Sequence, residues 1–370
     1  MHLDRHQDRA ATRDGNLVAL GWNQSLEDNF KPHHDEGLLP ARVIAQHRGS
    51  YVVMGPTGEL SARSSGKLHH AASAGGVLPA VGDWVGITAD AAGTIVIRTV
   101  MPRRGIFSRN VADGSTEEQV LAANIDLALV VGGLDRDFNL RRMERYLAVA
   151  YAGGAAPVIV LTKADLCDDV DDKRSAVSDI APGVPIEVIS NLTGAGIDGV
   201  REQLSKGQTA VVLGSSGVGK SSLINHLLGS DAQRTGAVRR DGKGRHVTTH
   251  RELFLLPGGA LIIDTPGIRQ LKLWSADEGL PATFEDVEAL ASQCRFSDCG
   301  HESEPGCAIK EAIATGELST ARFNSYLKLM RELRSLEVRR DARARSEEQK
   351  KWRKIHLDYR ARTKFARKNR

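Results

Sequence analysis

The stretch that most constrains the fold is TAVVLGSSGVGKSSLINHLLG, residues 209–229, in which a glycine-rich turn joins an apolar run to a helical pattern. The turn GSSGVGKS, residues 214–221, matches every fixed position of the phosphate-loop pattern G-x-x-x-x-G-K-[ST]. The alternative is a plain glycine turn between a strand and a helix, which this full match in the right context disfavours. The sequence therefore predicts a loop that binds the phosphates of a nucleotide.

The residues of this loop have separate expected roles. Glycines allow the backbone to wrap closely around phosphate oxygens, and the start of the following helix adds N–H donors. Lys220 supplies a positive charge, and the Ser221 hydroxyl can ligate Mg²⁺. The expected nucleotide contacts are Gly214, Ser215, Ser216, Gly217, Val218, Gly219, Lys220, Ser221 and Ser222.

A second motif, TKAD, ends the apolar run APVIVL and matches the [NT]-K-x-D element of guanine-nucleotide proteins. Its carboxylate, on Asp165, can accept from the adjacent N–H donors of guanine, whereas adenine offers an acceptor at N1, so an ATPase is disfavoured. The methylene stem of Lys163 can lie along the base plane. Ser190 and Asn191, in VISNLTGAGI, stand where a second base-contacting loop is expected. The predicted base element is Thr162, Lys163, Ala164 and Asp165.

A third motif, LIIDTPG, resembles the D-x-x-G element of GTPases. Asp264 would hold Mg²⁺ through water, and the Gly267 N–H would sense the terminal phosphate. Ile268 follows, where many GTPases carry a glutamine that orients the attacking water. The preceding loop RTGAVRRDGKGRHVTTH has the character of a switch, with either Thr248 or Thr249 closing over the metal. The expected catalytic set is Lys220, Asp264, Thr248, Thr249 and His246, with His250 as the alternative histidine.

Charge is distributed unevenly along the 370-residue chain. The net charge is +4, but residues 339–370 hold fourteen Lys and Arg against four Asp and Glu, so this tail carries +10 and the remainder −6. Such a tail suits a polyanionic partner, and a solvated helix face or disordered end is the alternative. The opening MHLDRHQDRAATRDGN has no apolar core of signal-peptide length, and IDLALVVGGL is too short to span a bilayer. We therefore expect a cytoplasmic protein without membrane contact.

Changes in pattern along the chain predict several domains. Short β-rich runs with Gly, Pro and Asp turns indicate a small barrel of OB type, with an SH3-like barrel as the alternative. Alternating strands and helices then indicate an α/β domain, and a helical segment bearing cysteines follows. The predicted boundaries are 1–37 for a weakly structured extension, 38–107 for the barrel, 108–274 for the α/β domain, 275–338 for the helical domain and 339–370 for the basic tail.

A cluster of metal-ligand residues lies in CRFSDCGHESEPGC, with the spacing C-x4-C-x-H-x5-C. Three thiolates and one imidazole suit tetrahedral Zn²⁺, and no open coordination position is evident, so one structural zinc is expected. A chance grouping of free cysteines is the alternative. Cys167 lies outside the cluster and is expected to be an ordinary thiol. The predicted ligands are Cys294, Cys299, His301 and Cys307.

The motifs occur in the order TKAD, GSSGVGKS, GRHVTTH, DTPG, which is a circular permutation of the usual GTPase order. In this order and in the cysteine cluster, the chain resembles the ribosome small-subunit-dependent GTPase A family. The resemblance covers about residues 38–336 and implies a permuted GTPase domain between an OB-type barrel and a zinc domain. Val247 stands where the family commonly has threonine.

The resemblance also implies a function. It predicts a monomer that binds GTP and GDP with Mg²⁺, contacts the immature small ribosomal subunit and its RNA, and hydrolyses GTP to promote release. A different hypothesis is an RNA-binding module for which GTP is only a regulatory ligand with negligible turnover. Ile268 keeps this alternative open, because an aliphatic side chain cannot orient water.

Overall fold

The computed structural model describes residues 17–47, 49–73, 76–110, 118–229, 251–264, 279–302, 304–335 and 338. The predicted site residues His246, Thr248, Thr249 and Gly267 lie outside these ranges, as does the basic tail. The chain divides into two compact units. The first comprises residues 1–109, 119–272 and 277–283, and the second comprises residues 110–118, 273–276 and 284–370.

Helix α1 (Gln24–Asp35) shows that the expectation of weak structure across residues 1–37 is wrong for this segment. Leu26 and Phe30, one turn apart, are its buried residues, and Trp22 packs edge-on against Phe30 with ring centroids 5.7 Å apart. The helix escapes detection in the sequence because two buried positions are too few to produce an apolar period.

The next elements form a small closed barrel of five strands and one helix: β1 (Leu39–His47), β2 (Ser50–Gly55), β3 (Gly58–Ser64), α2 (Gly66–Ser73), β4 (Trp84–Ala89) and β5 (Ile95–Val100). The strand order is β1-β2-β3-β5-β4, and β4 pairs back to β1, which confirms the OB-type barrel. Tyr51 lies in the barrel core, and Trp84 is buried against Trp22 at 4.8 Å. Neither ring is therefore exposed for base stacking.

A two-stranded ribbon, β6 (Ile106–Asn110) and β7 (Glu118–Ala123), precedes a region of alternating strands and helices. That region comprises β8 (Leu127–Gly133), α3 (Leu140–Ala152), β9 (Ala156–Thr162), α4 (Val170–Ile180), β10 (Ile186–Val188), α5 (Ile197–Glu202), β11 (Thr209–Gly214), α6 (Lys220–Leu228), β12 (Arg251–Leu255), β13 (Leu261–Asp264) and α7 (Gly279–Thr283).

The strands of this region are ordered β10-β9-β8-β11-β13-β12, and only β12 runs antiparallel to its neighbour. Every residue of β8 and β11 is buried, as expected for parallel strands covered on both faces. The carboxyl ends of β8, β9, β11 and β13 therefore meet at one edge of the sheet, where open α/β folds bind their ligands.

The barrel and the α/β sheet are joined within the first unit. β1 pairs antiparallel with β12, through Ala45 opposite Glu252 and Gln46 opposite Arg251, so that eleven strands form one hydrogen-bonded sheet. Arg42, from β1, is fully buried at the junction. Its guanidinium donates to the Thr209 hydroxyl at 2.7 Å and to the Gly82 and Leu20 carbonyls.

The second unit is helical in its described part, with α8 (Glu285–Ala291), α9 (Ala308–Thr315) and α10, residues 320–335. Arg322 of α10 donates to both carboxylate oxygens of Asp286, at 2.9 and 3.1 Å, and lies 4.3 Å from the ring centre of the fully buried Phe284. Across the ranges that the structure describes, no helix is long and apolar enough to cross a membrane.

We expect Thr209→Val to destabilise the first unit, because it leaves a buried N–H donor of Arg42 without an acceptor. Such an orphaned group costs about 1–3 kcal/mol. Thr94→Val, at an exposed position, is the matched control and should change the free energy of unfolding by less than about 0.5 kcal/mol. Urea denaturation measures both variants. Equal stability of the two would show that the Arg42–Thr209 bond contributes nothing.

Candidate functional site

The phosphate loop joins β11 to α6 through a backbone that requires glycine. Gly214, Gly217 and Gly219 have φ of 152°, 76° and 102°. A Cβ on Gly214 would lie 2.6 Å from the Val131 carbonyl oxygen, and one on Gly219 would lie 2.6 Å from Nδ2 of Asn191. The loop is therefore folded tightly against its neighbours.

The side chains of this loop fall into two groups. Ser216, Ser221 and Ser222 are exposed at the surface of the loop and the start of α6. Lys220 instead lies along the loop, where its Nζ donates to the Gly214 carbonyl at 2.9 Å and to the Ser215 carbonyl. A positive charge and exposed hydroxyls thus lie on this loop and at the start of α6, where helix N–H groups also favour an anionic phosphate.

The structure brings the predicted base element against this loop. Thr162, the last residue of β9, is fully buried, and its hydroxyl donates to the Val218 carbonyl at 2.6 Å. Lys163 follows with a left-handed backbone, φ 62°, and begins the short turn Ala164–Leu166. The side chain of Asp165, in this turn, is exposed beside the phosphate loop's sheet edge.

The second base loop also meets TKAD. The hydroxyl of the buried Ser190 donates to the Asp165 carboxylate at 2.5 Å and accepts the N–H of Thr193 at 3.2 Å. One carboxylate oxygen of Asp165 is thereby held in place, and its remaining acceptor capacity can serve a ligand. The phosphate loop, TKAD and the second base loop, which were predicted separately along the chain, therefore form one continuous surface.

Asn191, the other residue predicted for the second base loop, contacts the phosphate loop. Its Nδ2 donates to the Gly219 carbonyl at 3.2 Å, and its main-chain oxygen lies 2.8 Å from Nε2 of His226 in α6. Its buried Oδ1 has no hydrogen-bond partner within the described part of the chain. Asn191 therefore ties the base loop to the phosphate loop and leaves one acceptor beside it.

The loop after β8 supplies two carboxylates that sequence reasoning missed. Asp135 forms an ion pair with Nζ of Lys163 at 2.7 Å, and this bond lowers the pKa of Asp135. Asp137 accepts the hydroxyl of Ser215 and the guanidinium of Arg142, the latter at 2.8 Å. Their position directly after an apolar strand could have indicated that they reach the site, because strands of a parallel sheet end at a common edge.

Asp264 ends β13, which pairs directly with β11, so its partly exposed side chain lies at the same edge as the phosphate loop. The other predicted switch and catalytic residues, His246, Thr248, Thr249 and Gly267, are outside the described residues. Their roles stay predictions.

The predicted metal ligands also come together, in the second unit. The ligand atoms of Cys294, Cys299, His301 and Cys307 all lie within 4.8 Å of one another. Sγ of Cys294 is 4.0 Å from Sγ of Cys307, and Nδ1 of His301 is 3.6 and 3.4 Å from these two atoms. Thiolates around tetrahedral zinc are about 3.8 Å apart for Zn–S bonds of about 2.3 Å. The cluster can therefore hold a metal ion.

The thiols of this cluster differ in acidity. Burial raises the pKa of the Cys299 thiol to about 11. Burial also opposes ionisation of Cys294, but the N–H groups of Ile309 and Ala308, at the start of α9, bring the pKa of its thiol below the ordinary value. The backbone of α9 thus favours the thiolate form that binds metals.

Comparison with known proteins agrees with this arrangement. A family described as RsgA GTPase matches residues 100–274. A "small ribosomal subunit biogenesis GTPase RsgA" of Opitutus terrae is 46% identical over 94% of this chain and 98% of its own. A protein of the same name from Syntrophotalea carbinolica is 44% identical over 93% of this chain and 99% of its own.

Two solved structures are similar as well. YjeQ from Thermotoga maritima has a TM-score of 0.61 and 28% identity, covering 80% of this chain and 98% of that one. YloQ, described as a circularly permuted GTPase, has a TM-score of 0.57 and 26% identity, covering 82% and 97%. One of these two similar structures is thus itself described as circularly permuted.

We expect Asp165→Asn to reduce affinity for GDP and to favour xanthine nucleotides, because the amide offers a donor to the added oxygen of that base. Loss of a charge-assisted hydrogen bond costs about 1.5–3 kcal/mol, or roughly ten- to hundredfold in affinity. Asp168→Asn, at an exposed position three residues on, is the control. Titration calorimetry with GDP and XDP measures both. Unchanged GDP affinity in Asp165→Asn would contradict the assignment.

Proposed function

Because the chain belongs to the RsgA GTPase family of GTP-hydrolysing enzymes, we propose that it converts GTP to GDP and phosphate late in the maturation of the small ribosomal subunit. One observation carries the nucleotide assignment. The Thr162–Val218 bond holds TKAD against the phosphate loop, and the Ser190–Asp165 bond joins the second base loop to TKAD, although the chain presents these elements in permuted order.

The proposed binding roles follow from position. Asp165 accepts the two adjacent N–H donors of guanine, with Ser190 fixing its orientation and Lys163 lying along the base. The phosphates lie in residues 214–222, where backbone N–H groups and Lys220 offset their charge.

Mg²⁺ fits the donors at this edge of the sheet. The hydroxyl of Ser221 and the carboxylate of Asp264 are hard oxygen donors, of the kind that Mg²⁺ takes together with phosphate oxygens. When bound, the ion would neutralise charge that develops on the transferred phosphoryl group.

Catalysis is proposed to depend on the partner. Ile268 cannot orient water, so His246, His250 or a group of the ribosomal subunit must do so, and turnover of the isolated protein should be slow. The same residue supports the second candidate function, an RNA-binding module that uses GTP only as a regulatory ligand.

We propose that the protein acts in the cytoplasm as a monomer, without membrane contact, and binds the RNA of the small subunit. Two features support an RNA partner: the OB-type barrel, a fold that often binds nucleic acid, and the +10 tail of residues 339–370. The domain boundaries proposed are 38–107 for the barrel, 108–274 for the GTPase domain and 275–338 for the zinc domain.

The metal of the second unit is proposed to be one structural zinc. Three thiolates and an imidazole are a typical zinc set, and all four ligands come from the protein. Zinc would then add to the stability of this unit, because a site formed only in the folded state links metal binding to folding.

We expect small ribosomal subunits to raise the turnover rate of GTP, by about a thousandfold if they complete the transition-state contacts. Deleting residues 339–370 should weaken subunit binding and reduce its dependence on salt, because fewer phosphate contacts release fewer counterions. The measurement is turnover against subunit concentration at two salt concentrations for both proteins. No stimulation would reject the assembly function and favour regulatory GTP binding. Stimulation unaffected by the deletion would reject only the role of the tail.

We expect one zinc per chain in protein purified without chelator. Cys299→Ala should lose the metal and lower the unfolding temperature of the second unit, whereas Cys167→Ala, the matched control outside the cluster, should change neither. Elemental analysis and thermal unfolding followed by limited proteolysis measure both effects. Absence of zinc from the unmodified protein would refute the proposal.

A further inference from the structure

A cavity of about 510 Å³ lies in the first unit, away from the phosphate loop. It is lined by the segment around Trp22, by Arg42 and Trp84 of the barrel, and by the amino end of β11 at Thr209. The phosphate loop begins at the other end of β11, five residues further on, or about 17 Å at the rise of a β-strand. The cavity is therefore a separate site.

Arg42 gives this cavity an unusual electrostatic character. The guanidinium is buried, yet all three groups that accept its hydrogen bonds are neutral: the Thr209 hydroxyl and the Gly82 and Leu20 carbonyls. No ion pair joins it to a carboxylate in the described part of the chain, although the charges of Asp126 and Asp83 act on it through space. Two of its five N–H donors have no partner among the described residues.

The charge of Arg42 persists despite this burial. Desolvation lowers the pKa of its guanidinium to about 10, which still leaves the group protonated at neutral pH. The ring of Trp84, 5.2 Å from the guanidinium carbon, offsets part of the cost. Buried charges are normally paired directly, and Asp126 and Asp83 act on Arg42 only through space, so an anion in the adjoining cavity would supply the missing direct partner.

The remaining charged side chains of the cavity support an anionic ligand. Arg104 and Lys206 line its rim and are exposed, and neither has a carboxylate partner among the described residues. Asp126 is the one acidic side chain in the lining, and its Oδ2 already accepts the N–H of Thr209 at 2.7 Å. The lining thus carries three cations against one carboxylate.

We propose that this cavity binds a small phosphate-bearing anion, with Arg42 as its buried anchor and Arg104 and Lys206 at the rim. A guanidinium with two unused donors suits the oxygens of a phosphate group, and the volume is within the range of small-molecule sites. The rings of Trp22 and Trp84 form an apolar wall beside the charge. This site is independent of the GTP-binding site.

The experiment uses the full chain saturated with GDP and Mg²⁺, so that the phosphate loop is filled. Inorganic phosphate is titrated by calorimetry and by tryptophan fluorescence, and retention of GDP is measured in the same samples. We expect saturable binding and a fluorescence change that is reduced in Trp22→Phe, since Trp84 remains in the wall. The double variant Arg104→Ala/Lys206→Ala should bind phosphate about tenfold more weakly, which is 1.4 kcal/mol.

The control is Lys67→Ala/Arg98→Ala, which removes the same charge from exposed positions of the barrel outside the cavity lining. It should change phosphate affinity by less than about twofold. Equal weakening in both double variants would overturn the proposal, as would the absence of saturable binding up to about 10 mM phosphate.

A short single-stranded RNA is titrated in parallel to separate a free anion from a nucleic-acid phosphate. We expect RNA affinity to fall equally in the two double variants. Phosphate affinity should fall only in Arg104→Ala/Lys206→Ala. If RNA affinity falls in Arg104→Ala/Lys206→Ala but not in Lys67→Ala/Arg98→Ala, the small-anion assignment is wrong.

Discussion

Parallel pairing of β9, β8 and β11 is the constraint on which the nucleotide site depends. Gly133 of β8 pairs with Thr162 at the end of β9, and Val131 of β8 pairs with Gly214 at the end of β11. The base element and the phosphate loop therefore emerge at one edge, two residues apart in register, close enough for the Thr162 hydroxyl to reach Val218. Circular permutation changes which strand ends are connected, but it leaves this edge intact.

The same sheet extends into the barrel. β12 pairs with β1 and follows directly after residues 230–250, the segment with the predicted switch, while Arg42 of the barrel bonds to Thr209 at the start of β11. The strand that carries the phosphate loop and the strand that follows the switch are thus both attached to the barrel. An RNA-bound barrel would act on the nucleotide site through hydrogen-bonded strands rather than through a flexible linker.

Local motifs were predictable from the sequence, and contacts between distant segments were not. The phosphate loop, TKAD and the Cys/His cluster have fixed spacings, so each could be read from a few adjacent residues. Asp135 and Asp137 reach the site only through the pairing of β8 with its neighbours, and Arg42 in a strand gave no sign of burial. Helix α1 was missed because its stability depends on packing against the barrel rather than on its own pattern.

The central claim is that the permuted chain rebuilds a single guanine-nucleotide site. Equilibrium binding of labelled GDP to the unmodified protein, in competition with unlabelled GTP and ATP, tests it most directly. The account predicts one GDP per chain, displaced by GTP but not by a comparable concentration of ATP, because adenine has an acceptor at N1 and cannot offer Asp165 the two adjacent N–H donors of guanine. Equal displacement by ATP, or more than one equivalent site, would contradict it.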